Sequence, residues 1–133
     1  MENLEIEATE FTPAISLNAT TRIFSFSGVS RPENVIAFYQ PVVDWLSIYE
    51  KEVLSKVEEA YSAIPLKMIF QFSYFNSSSS KMILQILEFF VVQKEKGINV
   101  HVDYYYDDGD DQMQEDGEEL SEMLGIPFNF IKE

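Results

Sequence analysis

Residues 77–81, Ser-Ser-Ser-Ser-Lys, set four hydroxyls in a row ahead of one ammonium group. Ser78 and Lys81 have the Ser-x-x-Lys spacing of acyl-transferring serine enzymes, in which a lysine one helical turn away takes the hydroxyl proton. The companion Ser-Asp-Asn and Lys-Thr-Gly motifs are absent, and 133 residues is short for such a fold. A small serine hydrolase using Ser78 and Lys81 is therefore the alternative reading, and a non-enzymatic chain is expected. His101 is the only histidine. A Ser-His-Asp triad would depend on its reaching the serine run from a neighbouring strand, and an ordinary strand histidine is the expectation.

A second group of chemistry-bearing residues is acidic: Asp107, Asp108, Asp110, Asp111, Glu115, Asp116, Glu118, Glu119 and Glu122. Their oxygens could suit calcium or magnesium, but an EF-hand loop needs acids or amides at its first, third and fifth positions before a glycine at the sixth. Counting back from Gly109 or Gly117 puts Tyr104 or Gln112 first, so the familiar loop does not fit and no metal site is assigned. A cation-binding acidic domain is a further alternative. A solvated acidic face, or a docking surface for a basic partner, accounts for the same residues.

The formal charge of −14 opposes nucleic acid, because affinity for phosphate backbones comes largely from lysine and arginine. No cysteine is present, so neither disulfides nor thiolate metal sites enter, and no cofactor is expected. The start of the chain, MENLEIEATE, carries acids where a secretory signal has a basic region, and no run approaches the roughly 18 apolar residues of a membrane span. A cytoplasmic monomer without membrane insertion is expected. The 46% hydrophobic content suffices for one packed domain over residues 1–133.

These side chains are positioned by a readable series of elements. Residues 4–8, 14–18 and 22–28 alternate apolar and polar, as antiparallel strands do. Ser30-Arg31-Pro32-Glu33 has the pattern of a capping box and predicts a helix from about residue 31 to Glu59, with Pro41 expected to kink it. Residues 65–75 alternate again over Leu66, Met68, Phe70, Phe72 and Tyr74. Lys81–Lys96 is apolar nearly all round, a helix closed by Gly97. Residues 98–105 form a further strand, the acidic stretch is helical after Gly109, and IPFNFI closes as a short strand. The order predicts an α/β fold: a mixed sheet of about five to six strands backed by two long helices and a shorter C-terminal one, with 65–75, helix and 98–105 as a parallel crossover.

The serine run thus falls between a strand and a helix, where Asn76 or one of the first serines can cap the helix. An exposed hydroxyl there also suits phosphorylation, since unpaired N–H groups and the positive dipole end tolerate a dianion.

The residues also carry a resemblance. Ser30-x-Pro32-Glu33-Asn34, Phe38-Tyr39-Gln40-Pro41-x-x-x-Trp45-Leu46, Tyr74-Phe75-Asn76-Ser77-Ser78-Ser79-Ser80-Lys81 and Tyr105-Tyr106-Asp107-Asp108-Gly109-Asp110-Asp111-Gln112-Met113-x-Glu115-x-Gly117-Glu118 together resemble the SiaC family of small bacterial regulatory phosphoproteins. The resemblance runs from Glu7 to the closing Pro-Phe. It implies a fold similar to the anti-sigma factor antagonists, the STAS-like class. The family's phosphorylated threonine, in a Tyr-Phe-Asn-Thr-Ser-Ser pattern, falls on Ser77, with Ser78 next; Tyr74, Asn76, Ser78, Ser79 and Lys81 are the expected partner-binding residues. The implied partners are a histidine-kinase-like serine/threonine kinase, a metal-dependent phosphatase, and a target such as a diguanylate cyclase. The implied setting is partner switching in cyclic di-GMP signalling and biofilm regulation.

Overall fold

Alternation with period two puts Ile15, Leu17, Phe24 and Phe26 on one side of the first strands, and all four are buried. In the computed structural model, which describes residues 1–60 and 62–133 apart from the side chains at 57 and 60, these strands are β1 (Leu4–Ile6), β2 (Ala14–Leu17) and β3 (Ile23–Ser30). They pair antiparallel, Ile15 opposite Phe26 and Leu17 opposite Phe24. The turn between β2 and β3 is held by the Asn18 side chain, which accepts from the amides of Thr20 and Thr21. It puts Arg22 at φ +64°, buried, with its guanidinium donating to the Ile64 carbonyl and pairing with Glu59 at 2.9 Å. A left-handed backbone at a non-glycine residue is costly. Here it aims a cation at the backbone that leads into the next strand.

Three crossovers follow. Helix α1 (Val35–Tyr49), a π-helical turn at Glu50–Leu54 and the short α2 (Val57–Ala60) lead to β4 (Leu66–Phe75). Helix α3 (Ser77–Glu95) leads to β5 (Val100–Tyr106), and α4 (Asp111–Leu124) leads to β6 (Asn129–Lys132). β3 through β6 are parallel neighbours, and the six strands lie in chain order. Successive crossovers that step the same way along a sheet put their helices on one face, and α3 packs against both α1 and α4. Along β4 the inward residues Leu66, Met68, Phe70 and Phe72 are buried, while Lys67, Ile69 and Gln71 on the other face remain in part or full contact with solvent.

The expected mixed α/β architecture is present, with differences at two helix starts. Ser30 does not cap α1; it ends β3, fully buried, and the Asn34 side chain accepts from the Ala37 amide instead. Pro32 explains the shift, because the residue before a proline is pushed out of helical geometry and the chain needs two more residues to turn. The α-helix continues through the exposed Pro41, and a π-helical turn follows it at 50–54. α3 begins at Ser77 rather than Lys81, so the serines form its first turn.

Beneath the helices Phe24 meets Trp45 and Tyr49 edge-on, both at 5.5 Å between ring centres. At the other end Tyr104 stacks on Phe128 and donates through its hydroxyl to the Met113 carbonyl at 2.7 Å. That contact requires Gly117: a Cβ there would lie 2.5 Å from Tyr104 Cε1. A glycine inside α4 therefore sets how closely α4 lies on the sheet.

Candidate functional site

At the C-terminal end of β4 the chain turns straight into α3, and Asn76 makes the turn. Its amide donates to the Ser30 carbonyl at 3.0 Å. Its side chain accepts from the Ser79 amide at 2.9 Å, and its carbonyl accepts from the Ser80 amide. Asn76 is thus the cap that satisfies one of the helix's open donors, tied to the neighbouring strand as well. Replacing it with alanine should lower stability by about 1 kcal/mol, read as a shift in the urea midpoint. An unchanged midpoint would show that the cap carries no weight.

A helix advances about 100° per residue, so the four serines point in different directions. Ser77 and Ser78 are exposed, Ser80 is half-buried, and Ser79 has no exposed surface. Ser79 Oγ donates to the Ser30 carbonyl at 3.0 Å and accepts from Ser30 Oγ at 2.9 Å. Tyr39 Oη lies 2.6 Å from Ser30 Oγ. Each hydroxyl has one proton, so the order is fixed: Tyr39 donates to Ser30, Ser30 to Ser79, and Ser79 to the Ser30 carbonyl. Burial pushes the Tyr39 hydroxyl up to about 12, the Ser30 hydrogen bond opposing this only in part. The chain of hydroxyls joins β3, α1 and the first turn of α3.

Ser79 was expected at the partner surface and is corrected to a buried structural residue, since its hydroxyl is consumed inside the fold. Tyr74 is 49% exposed, next to the last residue of β4. Lys81 is exposed one turn along α3 from Ser77. The amides of Ser77 and Ser78, in the first turn, have no carbonyl within the helix to bond. The Ser30–Tyr39–Ser79 network escaped the motif reading, although the parity of Phe24, Phe26 and Ser30 along β3 already pointed Ser30 inward.

Alongside this turn lies a groove of about 420 Å³ between α3 and α4. Ser77, Lys81 and Leu84 line one wall, and Asp116, Glu119 and Met123 the other. His101 is far from it. It pairs with Lys67, eight residues before Phe75 along β4, roughly 26 Å at strand rise, so no triad with the serine run forms. Ser78 Oγ is 3.4 Å from Asn76 Oδ1, an amide oxygen that cannot serve as a general base. Among the described residues no three His, Asp or Glu side chains converge to hold a metal ion.

Residues 6–133 match the family described as SiaC family regulatory phosphoprotein. The chain belongs to the SiaC family. A curated relative, an uncharacterized protein of Pseudomonas aeruginosa (strain UCBPP-PA14), is 28% identical over 128 residues, covering 96% of this chain and 94% of its own. Two solved structures share the fold. Apo-SiaC of P. aeruginosa is 26% identical, with a TM-score of 0.75 over 100% of this chain and 99% of that one. SiaC of the same organism, solved as the activator of the diguanylate cyclase SiaD and in complex with it, is 27% identical, with a TM-score of 0.82 over 98% of this chain and 99% of that one. The capped serine run of this SiaC family member lies within the matched region, and so does the groove beside it.

Proposed function

We propose that the chain is a non-enzymatic signalling switch, reversibly phosphorylated on Ser77 and acting through partner exchange in the cytoplasm. The observation that carries the reading is the placement of Ser77: an exposed hydroxyl at the first position of a side-chain-capped helix, on the rim of a groove. A phosphate of about −1.5 to −2 charge fits there, because the open amides of the first turn and the dipole favour an anion. Lys81, four residues on, lies on the same side of the helix.

The kinase would be of the histidine-kinase-like serine/threonine type and the opposing enzyme a metal-dependent phosphatase. The target of the unmodified form would be a diguanylate cyclase, by analogy with the relative solved in complex with one. Partner choice would follow from local desolvation of the phosphate rather than total charge, since the chain carries −14 already. Among the described residues no helix is long and apolar enough to cross a membrane.

Incubation with ATP and a histidine-kinase-like serine/threonine kinase of the same host should place one phosphate in residues 73–81, located by mass spectrometry, and Ser77→Ala should take up none. Undiminished uptake by Ser77→Ala would sink the assignment.

A further inference from the structure

Aspartate is followed by glycine twice in the chain, at 108–109 and at 116–117, and the fold treats the two pairs differently. A glycine after an aspartate lets its own backbone nitrogen reach the aspartate side chain, because no Cβ blocks the approach and the main chain turns freely. Asp116 and Gly117 lie inside α4, where the Gly117 amide is committed to the helical ladder, and Gly117 is buried against the Tyr104 ring. Asp108 and Gly109 lie in the turn between β5 and α4, and both are exposed. The amides on either side are bonded, Asp108 to the Glu133 carbonyl at 3.1 Å and Asp110 to the Asp107 carbonyl at 3.0 Å, whereas among the described residues the Gly109 amide has no backbone partner. Gly109 sits at φ +89° with open space where a Cβ would lie. The Asp108 side chain is 76% exposed, and its ion pair with Lys132 at 3.8 Å is too long and too solvated to hold it in place.

We propose that Asp108 is a modification site: it isomerises to isoaspartate through a cyclic imide formed with Gly109, and the product is a substrate for a carboxyl methyltransferase that uses S-adenosylmethionine. The Gly109 nitrogen attacks Asp108 Cγ, and the new N–C bond closes the ring. One carboxyl oxygen leaves as water, taking the amide proton and a proton from solvent. Water then opens the imide. Attack at Cγ restores aspartate, while attack at the main-chain carbonyl carbon of Asp108 leaves the chain linked through the side chain, with a free α-carboxylate. That carboxylate is the methyl acceptor: the methyl group passes from the sulfonium to oxygen, S-adenosylhomocysteine departs, and the ester closes again to the imide with loss of methanol. Isomerisation adds one backbone carbon inside the turn closed by the Asp110 amide and the Asp107 carbonyl. It does so just ahead of Asp110, whose side chain caps α4 by accepting from the Met113 amide at 3.1 Å. The reaction needs no phosphate on Ser77 and goes beyond the signalling reading.

Ageing the full chain at neutral pH and physiological temperature, beside a synthetic peptide of residues 104–112, tests the assignment. Electron-transfer fragmentation, which cleaves the extra backbone C–C bond, locates isoaspartate. Methyl transfer from labelled S-adenosylmethionine by a protein isoaspartyl methyltransferase, followed by digestion, shows which fragment carries the label. Asp108 in the folded chain should isomerise within about tenfold of the peptide rate, and Asp116 about tenfold or more slower than Asp108, since it waits for α4 to open. Asp108→Glu should remove isoaspartate and label from this segment, because the longer side chain closes the imide far less readily, and a melting curve confirms that the variant is folded. Asp108→Asn should form isoaspartate faster, with ammonia leaving in place of water. Isomerisation of Asp116 as fast as Asp108, an intact Asp108 in the folded chain while the peptide isomerises, or label undiminished in this segment of Asp108→Glu would overturn the proposal. Ser77→Ala should age as wild type does, so failure of the phosphate assignment would leave this one standing, and failure of this one would leave the phosphate assignment standing.

Discussion

Glutamate at position 77 or 78 should leave the chain folded, and the same residue at 79 should unfold it. At 77 and 78 the side chain is in water at the positive end of α3, where a carboxylate is worth about 0.3–1 kcal/mol in favour of the helix. At 79 it would enter a site with no exposed surface, displace the hydroxyl that bonds Ser30, and bury a charge with no cation to meet it. That costs about 4 kcal/mol or more, a large share of a domain's stability, typically about 5–15 kcal/mol. Thermal unfolding followed by circular dichroism checks it, with Ser79→Ala as the control for loss of the hydroxyl alone, about 1 kcal/mol. A cooperative, near-native melt for Ser79→Glu would mean that Ser79 reaches solvent and could compete with Ser77 for phosphate.

The second large effect is expected at Gly117→Ala, where helix propensity and packing point in opposite directions. In an exposed helix the change would stabilise by up to about 1 kcal/mol. Here the added methyl would meet the Tyr104 ring at 2.5–2.8 Å. Tyr104 cannot swing aside, since it is buried among Phe70, Phe128 and Phe130 and its hydroxyl is held by the Met113 carbonyl. Overpacking of this kind costs about 1–3 kcal/mol, and loss of the buried hydrogen bond adds about 1 kcal/mol. A net loss of about 2–3 kcal/mol, or roughly 10 °C in melting temperature, should result. Gly117→Ala combined with Tyr104→Leu should recover part of it. A rise in melting temperature for Gly117→Ala alone would show that α4 does not pack as closely as described.

Much of the fold was legible. Strand alternation from Phe24 to Phe26 and from Leu66 to Phe72 is a local signal, and it located both strands and their buried face. A cap at Asn76 or one of the first serines followed from the place of the run between a strand and an apolar helix, and the structure puts it at Asn76. The misplacements came where a local pattern had two readings. Ser30 fits a capping box by sequence, but its parity with Phe24 and Phe26 and the proline two residues later keep it in the strand. The serine run was read as preceding α3, whereas the cap sits one residue before it.

By itself, then, the sequence determined the element order, the mixed sheet and, through its motifs, the family, because propensity, periodicity and capping act over a few residues. Only the tertiary structure decided which of four adjacent serines faces water. The helix turns each to a different side, and what occupies each side comes from elsewhere in the chain: Ser30 and Tyr39 beneath Ser79, α4 across from Ser77. Likewise the acidic stretch reads as a solvated run until packing of Gly117 against Tyr104 brings Asp116 and Glu119 alongside Lys81. Those residues are some 35 positions apart, and no local pattern encodes what lies across a groove.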